Sequence, residues 1–194
     1  MKQTFAVSYR SLFQTEIAPL ASSWDELVVA LSQHRRAQRK EAGPCWSPII
    51  PKGERRCNAA VAAITAFVLD VDDGLPFEAV AERLAGREWI AYSSWSHSPR
   101  HPHYHVVIRL PEPIPAAEWP NEYWRLHKEI GHSADMLPAP AHAYFLPQHP
   151  AGAAWFVARS TDAVVFGGTC NDRNMRVTAA LAAYHRICER EGAR

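Results

Sequence analysis

Two stretches of this chain alternate polar and apolar residues with the period of a β-strand. In Phe67-Val68-Leu69-Asp70-Val71-Asp72, the side chains of Phe67, Leu69 and Val71 share one face and Asp70 and Asp72 share the other. In His103-Tyr104-His105-Val106-Val107-Ile108-Arg109-Leu110, Tyr104, Val106, Ile108 and Leu110 make an apolar face, while His103, His105 and Arg109 point the opposite way. Helical spacing appears elsewhere. Ser23-Trp24-Asp25-Glu26 has the form of a capping box, and Trp24, Leu27, Val28 and Leu31 follow it, predicting a helix to about Arg39. Phe77, Val80, Ala81 and Leu84 predict a second helix stopped by Gly86. Trp119, Tyr123, Leu126 and Ile130 predict a third, stopped by Gly131. Val177, Leu181, Tyr184 and Cys188 predict a last one.

Strands are expected within 4–13, over 64–72, from Trp89 to Ser94, from Tyr104 to Leu110 (ended by Pro111 and Pro113), over 144–146 and over 155–158. Residues 43–53 read as a proline-bearing loop or hairpin, and 98–102 as a loop. From residue 64 onward the order is βαββαβ, the order of a split-βαβ, RRM-like antiparallel sheet with helices on one face. The expected fold class is therefore α+β. Residues 1–60 form a small N-terminal lobe, 61–160 an RRM-like lobe and 161–194 a C-terminal helical segment, with the active site in the cleft between the two lobes.

Composition adds limits. The chain has 194 residues, 47% of them hydrophobic, enough for one domain with a sizeable core. From His34 to Arg56, seven Lys or Arg face Glu41 and Glu54, a local net charge of +5 in a chain whose total is +1. The remainder thus carries −4, so a basic surface for phosphates sits beside an acidic remainder. A solvated helix and loop would carry the same charges. Cysteines 45, 57, 170 and 188 form no CxxC pair, which argues against a zinc knuckle or redox motif. Buried thiols in a reducing cytoplasm are the expectation. No apolar run approaches the ~20 residues of a membrane span.

The chemistry lies on the polar faces. Two carboxylates on one strand face repel, and a divalent cation relieves that cost; Mg²⁺ takes carboxylates together with waters and phosphates. The plain alternative is that Asp72-Asp73-Gly74 is only a turn. His103 and His105 suit a metal or phosphate oxygens; a solvated strand edge is their alternative. Ser93, Ser94, Ser96 and Ser98 add hydroxyls nearby. Asp135, after Gly131, would bring a third carboxylate to a site for two cations.

Taken together, Asp-x-Asp on a strand, a His opening a later strand and a lone Asp after a helix resemble motifs I, II and III of archaeo-eukaryotic primases, the primase-polymerase superfamily. The plasmid- and phage-type branch is the nearer likeness. It is carried by Phe67–Gly74, by Trp89–Pro99 (WIAYSSWSHSP), by His103–Pro111 and by Tyr144-Phe145-Leu146-Pro147. Upstream, Trp46-Ser47-Pro48 and Gly53-Glu54-Arg55-Arg56 also fit, so the likeness spans roughly 20–150. The resemblance implies that Asp70, Asp72 and Asp135 hold two Mg²⁺ or Mn²⁺ ions and that His105 contacts the phosphates of an incoming NTP or dNTP. His103, Ser94, Lys52, Arg55 and Arg56 are candidates for further contacts to the nucleotide or template, and strand parity adds Arg109, which shares the face of His105, as a candidate for a phosphate. The activity implied is template-dependent nucleotidyl transfer on single-stranded DNA, as a DNA primase or primase-polymerase. No GxxxxGK[ST] occurs, so a helicase would be a separate partner.

A rival of another class is an HUH-type single-strand endonuclease or rolling-circle initiator. His103-Tyr104-His105 would hold one cation there and Tyr184 would attack DNA. Asp-x-Asp before the His strand and Asp135 after it favour the transferase. A non-catalytic nucleic-acid binder on the same fold ranks third, because RRM-type binders stack bases on sheet aromatics and Tyr104 falls on the apolar side.

Overall fold

The computed structural model describes residues 4–130 and 138–160, and the backbone of 164–167. Among the described residues, twelve strands and three α-helices follow in chain order. The first part holds β1 (Ala6–Tyr9), β2 (Ala18–Ala21), α1 (Trp24–Leu31), β3 (Arg35–Arg36), β4 (Cys45–Ser47) and β5 (Ile49–Pro51). Next come β6 (Val61–Val71), α2 (Phe77–Ala81), β7 (Trp89–Ser93), β8 (Tyr104–Pro115) and α3 (Trp119–Ile130). The last are β9 (Tyr144–Phe145), β10 (Gln148–His149), β11 (Trp155–Arg159) and β12 (Val164–Gly167).

The large sheet has the order β12-β11-β7-β8-β6-β5, with antiparallel pairing throughout. Strand β8 lies between β6 and β7, which is the split βαβ arrangement. An RRM-like sheet would then place the next strand outside β6. Here β5, arriving from the N-terminal elements, takes that edge, and β11 adds to β7 instead. The mixed α+β class stands, with a strand order that departs from the RRM at its last strand.

Both faces of this sheet are covered. On one, Phe67, Leu69, Val71, Tyr104, Val106 and Ile108 pack under α2 and α3, which contribute Phe77, Val80, Tyr123 and Leu126. On the other, Val68, Val107, Ile90, Tyr92 and Val157 meet Trp24, Leu27 and Leu31 of α1 and Trp46 of β4. The second face is topped by a four-stranded sheet, β2-β1-β4-β9, which draws its last strand from far along the chain. The Thr65 hydroxyl, donating to the Phe5 carbonyl at 2.7 Å, ties the layers together.

Several boundaries differ from the sequence pattern, each for a visible reason. Helix α1 stops at Leu31, eight residues before the expected end at Arg39. The Ser32 hydroxyl donates back to the Val28 carbonyl at 2.6 Å, and the chain then leaves the helix as β3. The capping box forms at Ser23, but Glu26 returns to the Ser22 amide rather than to that of Ser23. Strand β8 continues through Pro111 and Pro113, because both fall in a bulge where the register slips between Ile64 and Ala66 and no ladder donor is required. Residues 43–53 do not form a hairpin; β4 and β5 join different sheets. Cys45 is buried as expected, whereas Cys57 is exposed. No described helix is long and apolar enough to cross a membrane.

Candidate functional site

Register sets the site. Across β6, β8, β7 and β11 the pairing aligns Asp70 with His105, His105 with Tyr92, and Tyr92 with Val157. One step nearer the strand ends, the same register brings Asp72, His103, Ser94 and Trp155 into a second row. The Ser94 amide donates to the His103 carbonyl at 2.9 Å within it. A third row on the same face, Val68–Val107–Ile90, is wholly apolar and buried. The face thus grades from core to polar floor over about 7 Å per two residues along the strands.

Two Asp–His pairs form that floor. His105 Nε2 lies 3.1 Å from Asp70 Oδ1, and His103 Nδ1 lies 2.8 Å from Asp72 Oδ1. The carboxylate side chains are 47% and 67% exposed, so neither is packed interior and both remain open to a ligand, while that of His105 is only 9% exposed. Burial pushes the Asp70 carboxyl up, but the charge and hydrogen bond of His105, with His142 and Lys40 behind them, outweigh it and hold Asp70 below its ordinary value.

His105 is held by rings. Tyr92 lies beneath it with centroids 5.1 Å apart, and Tyr144 meets it edge-on at 5.6 Å. The Tyr92 hydroxyl accepts from Trp46 Nε1 at 3.0 Å and donates to the Phe145 carbonyl at 3.1 Å, which fixes the ring. Its Nδ1 is buried with no partner among the described residues. That costs about 1–3 kcal/mol and is the kind of exception native proteins keep at functional positions.

His103 is braced from the other side. His101 stacks on it, centroids 4.7 Å apart and planes 13° from parallel. The turn after Asp72 passes close beneath: Gly74 has φ +79°, and a Cβ there would stand 3.1 Å from the His101 ring. Asp73 Oδ1 accepts from the Leu75 amide at 3.0 Å, and the Tyr104 hydroxyl donates to the Leu75 carbonyl at 3.0 Å, so the turn is closed on itself and anchored at Leu75. His97 supports the start of β8 by accepting from the His103 amide at 3.3 Å.

The other expected site residues scatter. Arg109 lies on the face of His105 but four residues down β8, where it donates to Glu88 at 2.5 Å instead of reaching the polar floor. Lys52 sits beside the start of β6, its amide bonded to Ala60. Asp70 is nine residues further along that strand, about 30 Å away. Arg55 is exposed and bridges Glu16 through the backbone. Arg56 is committed to the fold, donating to the Leu12 carbonyl at 2.5 Å with its guanidinium 5.0 Å from the Tyr9 ring centroid. Asp135, Gly131, Tyr184 and the expected last helix lie outside the described residues.

Sequence patterns missed other neighbours of the site, namely Lys40, His142 and Tyr144, and the His34–His149–Trp155 group at the end of the second row. They come from two segments about a hundred residues apart, 34–40 and 142–155, and although Tyr144 and Trp155 open expected strands, no pattern gives any of the six a place at the site. As to a metal, no group of three or more His, Cys, Asp or Glu among the described residues has the arrangement of a closed cation site. Two exposed carboxylates on one face are nonetheless the protein share that Mg²⁺ takes when phosphates and waters complete its shell.

No known protein-family model matches the chain, and no curated protein does. Among solved structures, the AEP domain of the cyanophage S-2L primase-polymerase is similar to it. That likeness has a TM-score of 0.41 and 12% identity and covers 75% of this chain and 72% of that one. So distant a likeness says nothing about what the chain does.

Proposed function

We propose that this chain is a template-dependent nucleotidyltransferase, the catalytic domain of a DNA primase or primase-polymerase. The observation that carries the reading is the pair of Asp–His couples in successive rows of β6 and β8, exposed on one edge and buried on the other. Asp70 and Asp72 are the residues that would hold divalent ions, with Asp135 as the expected third carboxylate. Bound Mg²⁺ or Mn²⁺ supplies activation of an attacking 3′-hydroxyl and charge neutralisation at a leaving pyrophosphate.

The remaining roles belong to the chain itself. The neighbouring imidazole favours ionised Asp70, so the carboxylate is ready as an oxygen ligand at neutral pH. His105, fixed between Tyr92 and Tyr144, holds the Asp70 carboxylate at a set position through Nε2, which lowers the reorganisation needed in the transition state; a phosphate oxygen that takes the place of Asp70 at Nε2 is its route to the nucleotide. His103 and Ser94 extend that polar floor by one row. The HUH-type reading uses the same two histidines. The carboxylate opposite each of them favours the transferase, because such a nuclease does not require Asp-x-Asp.

The test is strand synthesis from labelled dNTPs or NTPs on a single-stranded template with Mg²⁺ or Mn²⁺. Wild type yields new strand, and Asp70→Asn and Asp72→Asn each reduce the rate by about 100-fold or more, the scale on which charge-stabilising groups act. Template cleavage with protein covalently attached to the DNA, and no synthesis, replaces this reading with the nuclease.

A further inference from the structure

We propose that Trp155, His149 and His34, with Arg36 beside them, form a contact for single-stranded DNA. This rests on the template-copying reading and gives the template strand a place on the protein. The group closes the row that begins at Asp72, three strands away, or about 14 Å from the carboxylates.

Ring geometry defines a platform. His34 stacks on Trp155 with centroids 4.8 Å apart and planes 24° from parallel, and His149 does so at 5.5 Å and 23°. The two imidazoles are only 5.2 Å apart and are joined Nδ1 to Nδ1 at 3.0 Å. Rings on opposite faces of an indole would stand about twice the stacking distance apart, so both imidazoles lie on one face of Trp155. No other described ring stacks on Trp155, which stays partly exposed.

His34 Nε2 lies 3.1 Å from both the carbonyl and the hydroxyl of Ser93, which fix the ring from its other side. Burial pushes His34 down to about 3, with His149 adding to the effect, so it is neutral. The two imidazole planes stand 47° apart over the indole.

Positive charge stands next to it. Arg35 and Arg36 directly follow His34, are exposed, and pair in β3 with Gln148 and His149. Successive strand residues point to opposite sides: Arg36 lies toward His149, whereas Arg35 lines a groove with Asp25 and Glu26. Arg36 makes no ion pair among the described residues, so its guanidinium remains available to a phosphodiester. An aromatic platform beside an unpaired arginine is a combination that holds single strands: bases stack without regard to sequence while a phosphate meets the cation.

The experiment is fluorescence anisotropy of labelled oligothymidylate across a salt series, with folding checked by thermal melting. Trp155→Ala weakens binding about ten-fold, and Trp155→Phe, which keeps a stacking ring, recovers most of it. The variant Arg36→Ala lowers the slope of log affinity against log salt by about 0.7, the share of one single-strand phosphate contact. Asp70→Asn/Asp72→Asn binds at least as well as wild type. Wild-type affinity and slope in the arginine variant overturn the proposal. So does a Trp155→Ala protein that loses dATP binding but keeps the oligonucleotide. Wild type that binds DNA through this surface but makes no strand defeats the transferase reading and leaves the contact standing. Strand synthesis with oligonucleotide binding untouched by either variant does the reverse.

Discussion

The two faces of the large sheet are built from the same strands with the same period, yet they differ in one respect. The helix-covered face stays apolar along the length of β6 and β8, from Ile108 and Phe67 through Val106 and Leu69 to Tyr104 and Val71. The lobe-covered face is equally apolar at Val68 and Val107, then turns polar over its last two rows. A sheet sealed on one side can carry charge at one end of the other without losing its core. One face is thus core along its whole length, while the other is core that ends in polar rows, and mutations at the two should separate packing from the polar rows.

The largest expected effect is on the sealed face. Leu69→Ala leaves a cavity beneath α2 and α3 and lowers unfolding free energy by about 2–5 kcal/mol in urea titration. A loss as small as that of a surface substitution would mean the helices do not seal this face.

Next comes acid. His97 is buried and His34 half-buried, and both are held neutral, His34 at about 3 and His97 at about 4, desolvation being the main cause for both. The unfolded chain protonates them near 6.5. Below that value it binds protons the folded chain refuses, so stability is full above pH 6.5 and falls as pH drops from 6.5 toward 3. Asp70 acts in the same direction, since its lowered pKa gives stability that is lost as its folded carboxylate takes up a proton. The summed loss is on the order of a few kcal/mol. His34→Gln should flatten the curve of melting temperature against pH; an unchanged curve would remove His34 from the cause.

A smaller effect separates strain from site geometry. Gly74 and Gly86 have nearly the same left-handed φ, +79° and +78°, but a Cβ meets His101 at the first and nothing within 4 Å at the second. Gly86→Ala should cost about 1–2 kcal/mol of backbone strain and leave strand synthesis unchanged. Gly74→Ala should cost a similar amount and also displace His101, loosening the His103–Asp72 pair and slowing synthesis several-fold. Equal rates in the two variants would show that the His101 stack does not position His103.

The smallest effect is the stability change at the polar rows. Asp72→Asn removes a partner from an exposed pair and should shift unfolding by about 1 kcal/mol or less, whatever its effect on the proposed synthesis. A shift as large as that of Leu69→Ala would make the pair part of the core.

Much of this was legible in the chain, and the division has a physical basis. Side-chain alternation is a local property of extended backbone, so the pattern at 67–72 and 103–110 alone determined that Asp70 joins Asp72, that His103 joins His105, and that an apolar underside lies below them. Local hydrogen bonding likewise let Ser23 announce the start of α1. Tertiary structure decided what no short window contains. Register between distant strands set Asp70 opposite His105 and left Arg109 two rows below. The course of the chain carried Lys52 to the far end of β6. Burial under the N-terminal sheet made the second face a core as well as a floor. Long-range packing also joined His34 to His149, 115 residues apart, on one side of Trp155. Those outcomes depend on which surfaces find each other, and pairing energy between segments leaves no period in either one.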